Sequence, residues 1–305
     1  MAHNLLRISQ QVFNTPQLIT PSSMVMIADY LNARNANLYI DIPTAPNEPV
    51  DPDEDGDDDE YDPFENLYSF SDDYNIGIIP ITGVLTDIPF YGMCGVDGVS
   101  YTSIKANVDS LIDAGADEII FDIDSGGGEA YGVWEAAYAV RQMADEAGVK
   151  ITAYVDGLAA SAAYVWASIS DEIVMNPMAE VGSIGVVVQL VNYNRMKTDL
   201  GIDTTYIYSG ANKIPFDAEG RFTKTFLTDI QEKVDNLYET FVEFVSEQRG
   251  ITAEVIKGTE ASTYLPDKAI ALGLADKVMT RDDFTTYMFK GKDKGTDNGS
   301  PLTSF

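Results

Sequence analysis

The chain has 305 residues and a mass of 33.3 kDa, room for one large or two modest domains around a sizeable core. Hydrophobic residues at 45% and aromatics at 10% exceed what a disordered chain carries, so a folded body is expected. The net charge of -30 repels phosphate backbones and anionic headgroups, which excludes nucleic acid and membrane surfaces as natural partners, and the single cysteine, Cys94, excludes a disulfide framework or a cysteine-clustered zinc site.

Residues 1–50 read as an N-terminal arm. Its first twenty residues lack the continuous apolar core of a signal peptide, and within it Pro21 and Ser22 open a predicted helix, Ser22–Arg34, with Met24, Ile27, Ala28 and Leu31 at helical spacing. Residues 51–74 follow as an acidic linker, with nine carboxylates between Asp51 and Asp62. Asp51, Asp53, Asp55, Gly56 and Asp62 fall near calcium-loop positions, but no amphipathic helices flank them and the usual final Glu is Asp, so a plain solvated loop is the simpler reading and no metal site is assigned.

From residue 75 to 289 strands alternate with helices. The pattern predicts a buried strand pair over Ile76–Leu85, a helix over Ser103–Ala114, a strand over Glu118–Ser125 and a helix over Glu129–Ala147. A strand over Ile151–Gly157, a small-residue helix over Ser161–Ser170 and a strand over Glu172–Pro177 come next, then a short helix near Tyr193–Leu200 and a strand over Thr204–Gly210. A long helix, Phe222–Arg249, carries one apolar stripe from Phe226 to Val245. This alternation implies βαβ units and a largely parallel sheet, hence an α/β fold, and the Gly, Lys, Asp and Ser content of residues 290–305 reads as a disordered tail. The longest apolar stretch, near Gly185–Val191, is far short of the about 20 residues a bilayer-spanning helix needs, so no membrane anchor is expected, and with one cysteine nothing points to an oxidising compartment, which makes a cytoplasmic address the default expectation.

Two strand ends carry possible chemistry. At Gly126, Gly127 and Gly128 the backbone can approach a ligand closely and offer N–H groups to an oxyanion, although a tight strand-to-helix connection has the same sequence. The spacing fits neither a dinucleotide fingerprint nor a P-loop. At the second end, Ser161 opens an alanine-built helix, either as a nucleophile with an approachable hydroxyl or simply as a helix cap. The only histidine, His3, lies in the arm, which leaves no imidazole for a Ser-His-Asp triad; a lysine made neutral by burial is the remaining base. Lys213, beside Ile214, Pro215 and Phe216, is a candidate, with a surface loop lysine as the plain alternative.

These pieces, IDSGGG, ASAAY around Ser161, GSIGV at Gly182–Val186, YSGANK ending in Lys213, and Thr259–Asp276, resemble, in order, the Ser-Lys peptidases of the signal peptide peptidase A family, phage head-maturation branch. The resemblance spans roughly Ile76–Val278. It implies a Clp protease and crotonase-type spiral of ββα units with a parallel sheet. It also implies Ser161 as nucleophile, Lys213 as general base, Ser183 holding the lysine amine, and an oxyanion hole from the N–H groups of Gly127, Gly128 and Ala162. The chain departs from the family pattern at Gly126, where Pro is common, and at Ala162 and Ala163, where a Gly is often found.

The function so implied is a serine endopeptidase, without cofactor, that processes capsid, scaffold or portal proteins in the host cytoplasm or within the viral prohead. It would act as a homo-oligomer, since in relatives the reacting serine and lysine can come from different subunits. Two other readings keep the fold: a non-catalytic assembly or scaffolding protein, and a crotonase-like acyl-CoA enzyme, for which the acidic chain offers no basic cluster.

Overall fold

In a computed structural model the described residues are 15–21, 24, 68–89, 91–92, 95–96 and 99–290. The predicted helix Ser22–Arg34, the acidic stretch Asp51–Asp62, His3, Cys94 and the tail beyond residue 290 lie outside them, wholly or nearly so.

The sheet is built from β1 (Gln17–Ile19), β2 (Ser69–Ser71), β3 (Ile76–Thr86), the small hairpin β4 (Tyr91–Gly92) and β5 (Gly95–Val96), then β6 (Val99–Ser100), β7 (Glu118–Glu129), β8 (Lys150–Ala160), β9 (Glu172–Met175), β10 (Glu180–Gly182), β11 (Thr263–Tyr264) and β12 (Lys277–Val278). The helices are α1 (Tyr101–Asp113), α2 (Val133–Ala147), α3 (Ala162–Ser168), α4 (Asn194–Asp199), α5 (Lys224–Arg249), α6 (Ala253–Lys257), α7 (Pro266–Ala271) and α8 (Arg281–Phe289). The main sheet runs β11-β10-β8-β7-β3-β2, and β3, β7, β8, β9 and β10 pair in parallel where they meet. Only β1, β2 and β11 pair antiparallel in it.

The strands are apolar along their length because both faces are covered, as parallel sheets require. One face packs Ile79, Ile81, Phe121, Ile123 and Val155 into the main core under α1, α2, α3 and the end of α5, with Trp166 of α3 edge-on to Phe121. The other carries Ile76, Ile120, Tyr154 and Val174, closed by Phe284 and Met288 of α8. Arg281 fastens that helix to the sheet through Asp122 at 2.7 and 3.0 Å and Asp156 at 3.0 Å, its guanidinium lying 4.6 Å from the Tyr154 ring centroid.

Several elements differ from the sequence reading. Ile76–Leu85 is not a strand pair but part of the single strand β3, with a register shift at Gly83 (φ 71°). Pro80 is tolerated there because β2 pairs only Ile76–Ile78 and β6 only Leu85–Thr86, so the edge between needs no N–H donor among the described residues. The glycine run is not a strand-to-helix turn: β7 continues through Gly126–Gly128 to Glu129, which delays α2 to Val133. Thr204–Gly210 forms no strand; β-branched and aromatic residues favour extension, but among the described residues no strand pairs with it and Ile207 is 97% exposed. Only the C-terminal end of the α5 stripe, Phe241, Val242, Phe244 and Val245, is buried.

Candidate active site

Two neighbouring parallel strands end together. Ala160 of β8 pairs with Gly182 of β10, and the next residues, Ser161 and Ser183, both take positive φ, 59° and 53°. Gly182 itself has φ 131°, and a Cβ there would stand 2.5 Å from the Ser262 carbonyl. Its carbonyl accepts the Ser161 N–H at 2.9 Å, while the Ser183 N–H donates to Ser262 at 2.9 Å. The two serines are therefore fixed by backbone bonds rather than by their side chains.

Ser161 has φ 59° and ψ -119°, a pair that L-residues hold only when the surroundings impose it. The Tyr164 and Val165 N–H groups donate to its carbonyl at 3.0 and 3.2 Å, securing the turn into α3. The residue is fully buried, makes no side-chain cap to α3, and its Oγ has no hydrogen-bond partner among the described residues. The capping explanation for this serine thus fails: a cap would spend its oxygen on a helix N–H.

Gly127 (φ 100°) faces this turn. A Cβ added to it would lie 2.2 Å from the Leu18 carbonyl oxygen, 2.9 Å from that of Ala160 and 3.0 Å from the Ala162 nitrogen, so glycine is required for the approach. Its N–H donates to Ser125 Oγ at 3.1 Å, and that hydroxyl in turn donates to the Gly83 carbonyl at 2.6 Å, bridging the irregularities of β7 and β3. Gly128 is wedged between Leu85 and Leu18, its would-be Cβ 1.8 Å from the Leu85 carbonyl oxygen. Ala162 is the first residue of α3, where backbone N–H groups have no intrahelical acceptor.

The structure thus gathers Ser161, Ser183, Gly127, Gly128 and Ala162 at one sheet end. It does not bring Lys213 to them. Lys213 ends a 3₁₀ turn, Ala211–Lys213, is exposed, and does not hydrogen-bond Ser161 within the chain. The segment leading to it leaves Met196, Leu200, Ile202, Tyr206, Ile207 and Tyr208 exposed. Sequence reasoning missed two contributors. Ser125 braces the glycines, and its place directly before the run was the only signal; β1, from the arm, lies against them, and three residues among Pro and Asn gave none.

Residues 143–294 match the model of Peptidase family S49. The chain belongs to this family. Its mixed sheet has the Clp protease and crotonase-like architecture of S49 peptidases. It is 31% identical over 221 residues to the head-tail preconnector protein GP5 of Enterobacteria phage P21, covering 70% of this chain and 42% of that protein. It is 28% identical over 219 residues to the capsid assembly protease C of Escherichia phage lambda, covering 70% and 48%. Against the probable protease SohB of Haemophilus influenzae it is 28% identical over 202 residues, covering 65% and 57%. The chain therefore spans about half the length of these curated relatives. Among the described residues no helix is long and apolar enough to cross a membrane.

Proposed function

We propose that the chain is a serine endopeptidase of phage head maturation, with Ser161 as nucleophile and Lys213 as general base. The observation that carries this reading is Ser161: buried, held at φ 59° by backbone bonds, with an Oγ that no neighbour engages among the described residues. A structural serine has no need of that geometry, whereas a nucleophile held at a strained strand-to-helix turn does. Membership of a peptidase family and similarity to a capsid assembly protease give it a substrate class: capsid, scaffold or portal proteins, met in the host cytoplasm or inside the prohead. The family match favours this reading over an acyl-CoA enzyme.

In the proposed reaction the neutral Lys213 amine takes the Ser161 proton as Oγ bonds to the scissile carbonyl carbon. The oxygen becomes an oxyanion facing the N–H groups of Ala162 and Gly128, where preset donors are worth about 3 kcal/mol each, whereas the Gly127 N–H is already engaged by Ser125 Oγ. The C–N bond then breaks and the lysine returns its proton to the leaving amine. Water, deprotonated by the same amine, hydrolyses the acyl-serine. Ser183 would orient the amine. Because Lys213 does not reach Ser161 within one chain, a neighbouring copy supplies it, and the exposed apolar residues from Met196 to Tyr208 are the surface that the copy would cover. The active species is then a homo-oligomer. The test is to incubate wild type and Ser161→Ala with the cognate head proteins: cleavage by wild type alone supports the reading, and equal cleavage by both overturns it.

A further inference from the structure

β8 leaves the sheet at Ser161, and the lane it vacates is filled by β1. On the β7 side, the β8 pairing ends at Ser125 with Ala159, and β1 takes over with Ile19 opposite Gly127, Leu18 opposite Gly128 and Gln17 opposite Glu129. On the other side, β10 pairs β8 up to Gly182 with Ala160; downstream, Val187 and Gln17 exchange both backbone bonds, at 2.9 and 3.0 Å. Thr20 N–H donates to the Gly126 carbonyl at 3.0 Å, and since bonded pairs recur every second residue in an antiparallel ladder, Leu18 and Gly128 form the next one. The Gly128 N–H is thus directed at the Leu18 carbonyl. That carbonyl oxygen, the Ala160 carbonyl oxygen and the Ala162 nitrogen all lie within 3.0 Å of the point where a Gly127 Cβ would stand. Leu18 is fully buried in the core and Ile19 5% exposed.

We propose that residues Gln17–Thr20 are an internal occupant of the substrate lane, holding the peptidase closed until the arm is displaced. The inference rests on the reading of Ser161 as a nucleophile. A substrate chain binding by strand addition needs the same backbone groups of Gly126–Glu129 and Val187 that β1 now uses. β1 runs antiparallel to β7 as an added peptide would, its Leu18 carbonyl beside the donors assigned to the oxyanion. While it stays, Ser161 is buried. A tethered segment acts at an effective concentration of about millimolar, so free peptides of weaker affinity than that compete poorly.

The experiment uses the full chain and a fluorophosphonate probe, which labels a reactive serine without any knowledge of the substrate, with Ser161→Ala as blank and casein digestion as a second readout. Leu18→Asp places a charge in the apolar seat of the arm. Its labelling rate should rise about tenfold, the gain when a site open in about a tenth of molecules opens in all. A synthetic peptide of residues 12–22 should reverse the gain. As a variant that keeps Leu18, Gln17→Cys with Val187→Cys, made in a Cys94→Ser background, pins the arm when oxidised; labelling should fall on oxidation and recover on reduction. Equal labelling in wild type, Leu18→Asp and the pinned form would overturn the occupant role and leave the peptidase reading standing. Absence of Ser161 labelling in every form, the released ones included, would overturn both.

Discussion

Replacing Ser161 by alanine should leave the protein as stable as wild type or more so while abolishing cleavage. A capping serine would lose about 1 kcal/mol on truncation. Ser161 makes no such cap; its hydroxyl is fully buried and unpaired, a condition that costs about 1–3 kcal/mol and that alanine removes. Allowing for the lost contacts of one oxygen, the net gain is about 1 kcal/mol, which in a domain of this size is about 2–4 °C in Tm. Ser161→Gly goes further, since glycine accepts φ 59° and ψ -119° without strain. It relieves about 1–3 kcal/mol of backbone cost, against about 0.4–1 kcal/mol of extra unfolded-chain entropy. Thermal unfolding of the three proteins, run beside cleavage of head proteins, reads both quantities. A Tm for Ser161→Ala lower than wild type by more than about 2 °C would show that the hydroxyl holds structure together, and the reasoning from its unpaired state would be refuted.

Lys213→Arg should be as inactive as Lys213→Ala, because guanidinium stays protonated, and wild-type cleavage should climb with pH as the amine loses its proton; a flat profile contradicts the base role. Mixing Ser161→Ala with Lys213→Ala should restore part of the activity if the site is shared, and a fully active monomer in sedimentation would exclude that. Arg281→Ala should lower Tm by about 2–6 °C, since it strands Asp122 and Asp156 against the sheet and unseats α8. Burial lifts the hydroxyls of Tyr101 and Tyr164, and burial with the Glu247 hydrogen bond lifts Tyr138 to about 12 from 10.0. Their folded values exceed the unfolded one, so this stabilising contribution is complete below pH 10 and is lost as pH rises above it, for Tyr138 through the 10–12 window, which alkaline melting curves would reveal.

The alternation of strands and helices was legible because it rests on apolar periodicity, which both faces of a covered sheet enforce. Ser161 and the glycines were legible as unusual strand ends with two readings each, a chemical one and a structural one, and the family resemblance favoured the chemical one. What the sequence could not show was pairing. Gly126–Gly128 looks like punctuation, yet β3 and β1 on its two sides turn it into strand. Thr204–Gly210 looks like a strand, yet without a partner its extension earns no ladder. Lys213 beside Ile214, Pro215 and Phe216 looks shielded, but those residues are only half-buried and the lysine is exposed. Burial of a loop depends on what covers it, and among the described residues nothing shields the lysine.

On the proposed reading, the parts of the site divide by how they are fixed. Nucleophile and oxyanion loop are set by hydrogen bonds inside one chain, the Ser161 N–H donating to the Gly182 carbonyl and the Gly127 N–H to Ser125 Oγ, and need no partner to take shape. The base and the open lane are not set in that way: one needs a second copy, the other needs the arm to leave. A chain that meets its own assembly proteins as it is made is therefore poised without being active, and two separate events, association and displacement of β1, each remove a different block. If association alone sufficed, Leu18→Asp would change nothing in the assembled oligomer; if displacement alone sufficed, a released Leu18→Asp chain would be fully active as a monomer. A gain from Leu18→Asp in the assembled protein, together with an inactive released monomer, is the outcome that requires two blocks rather than one.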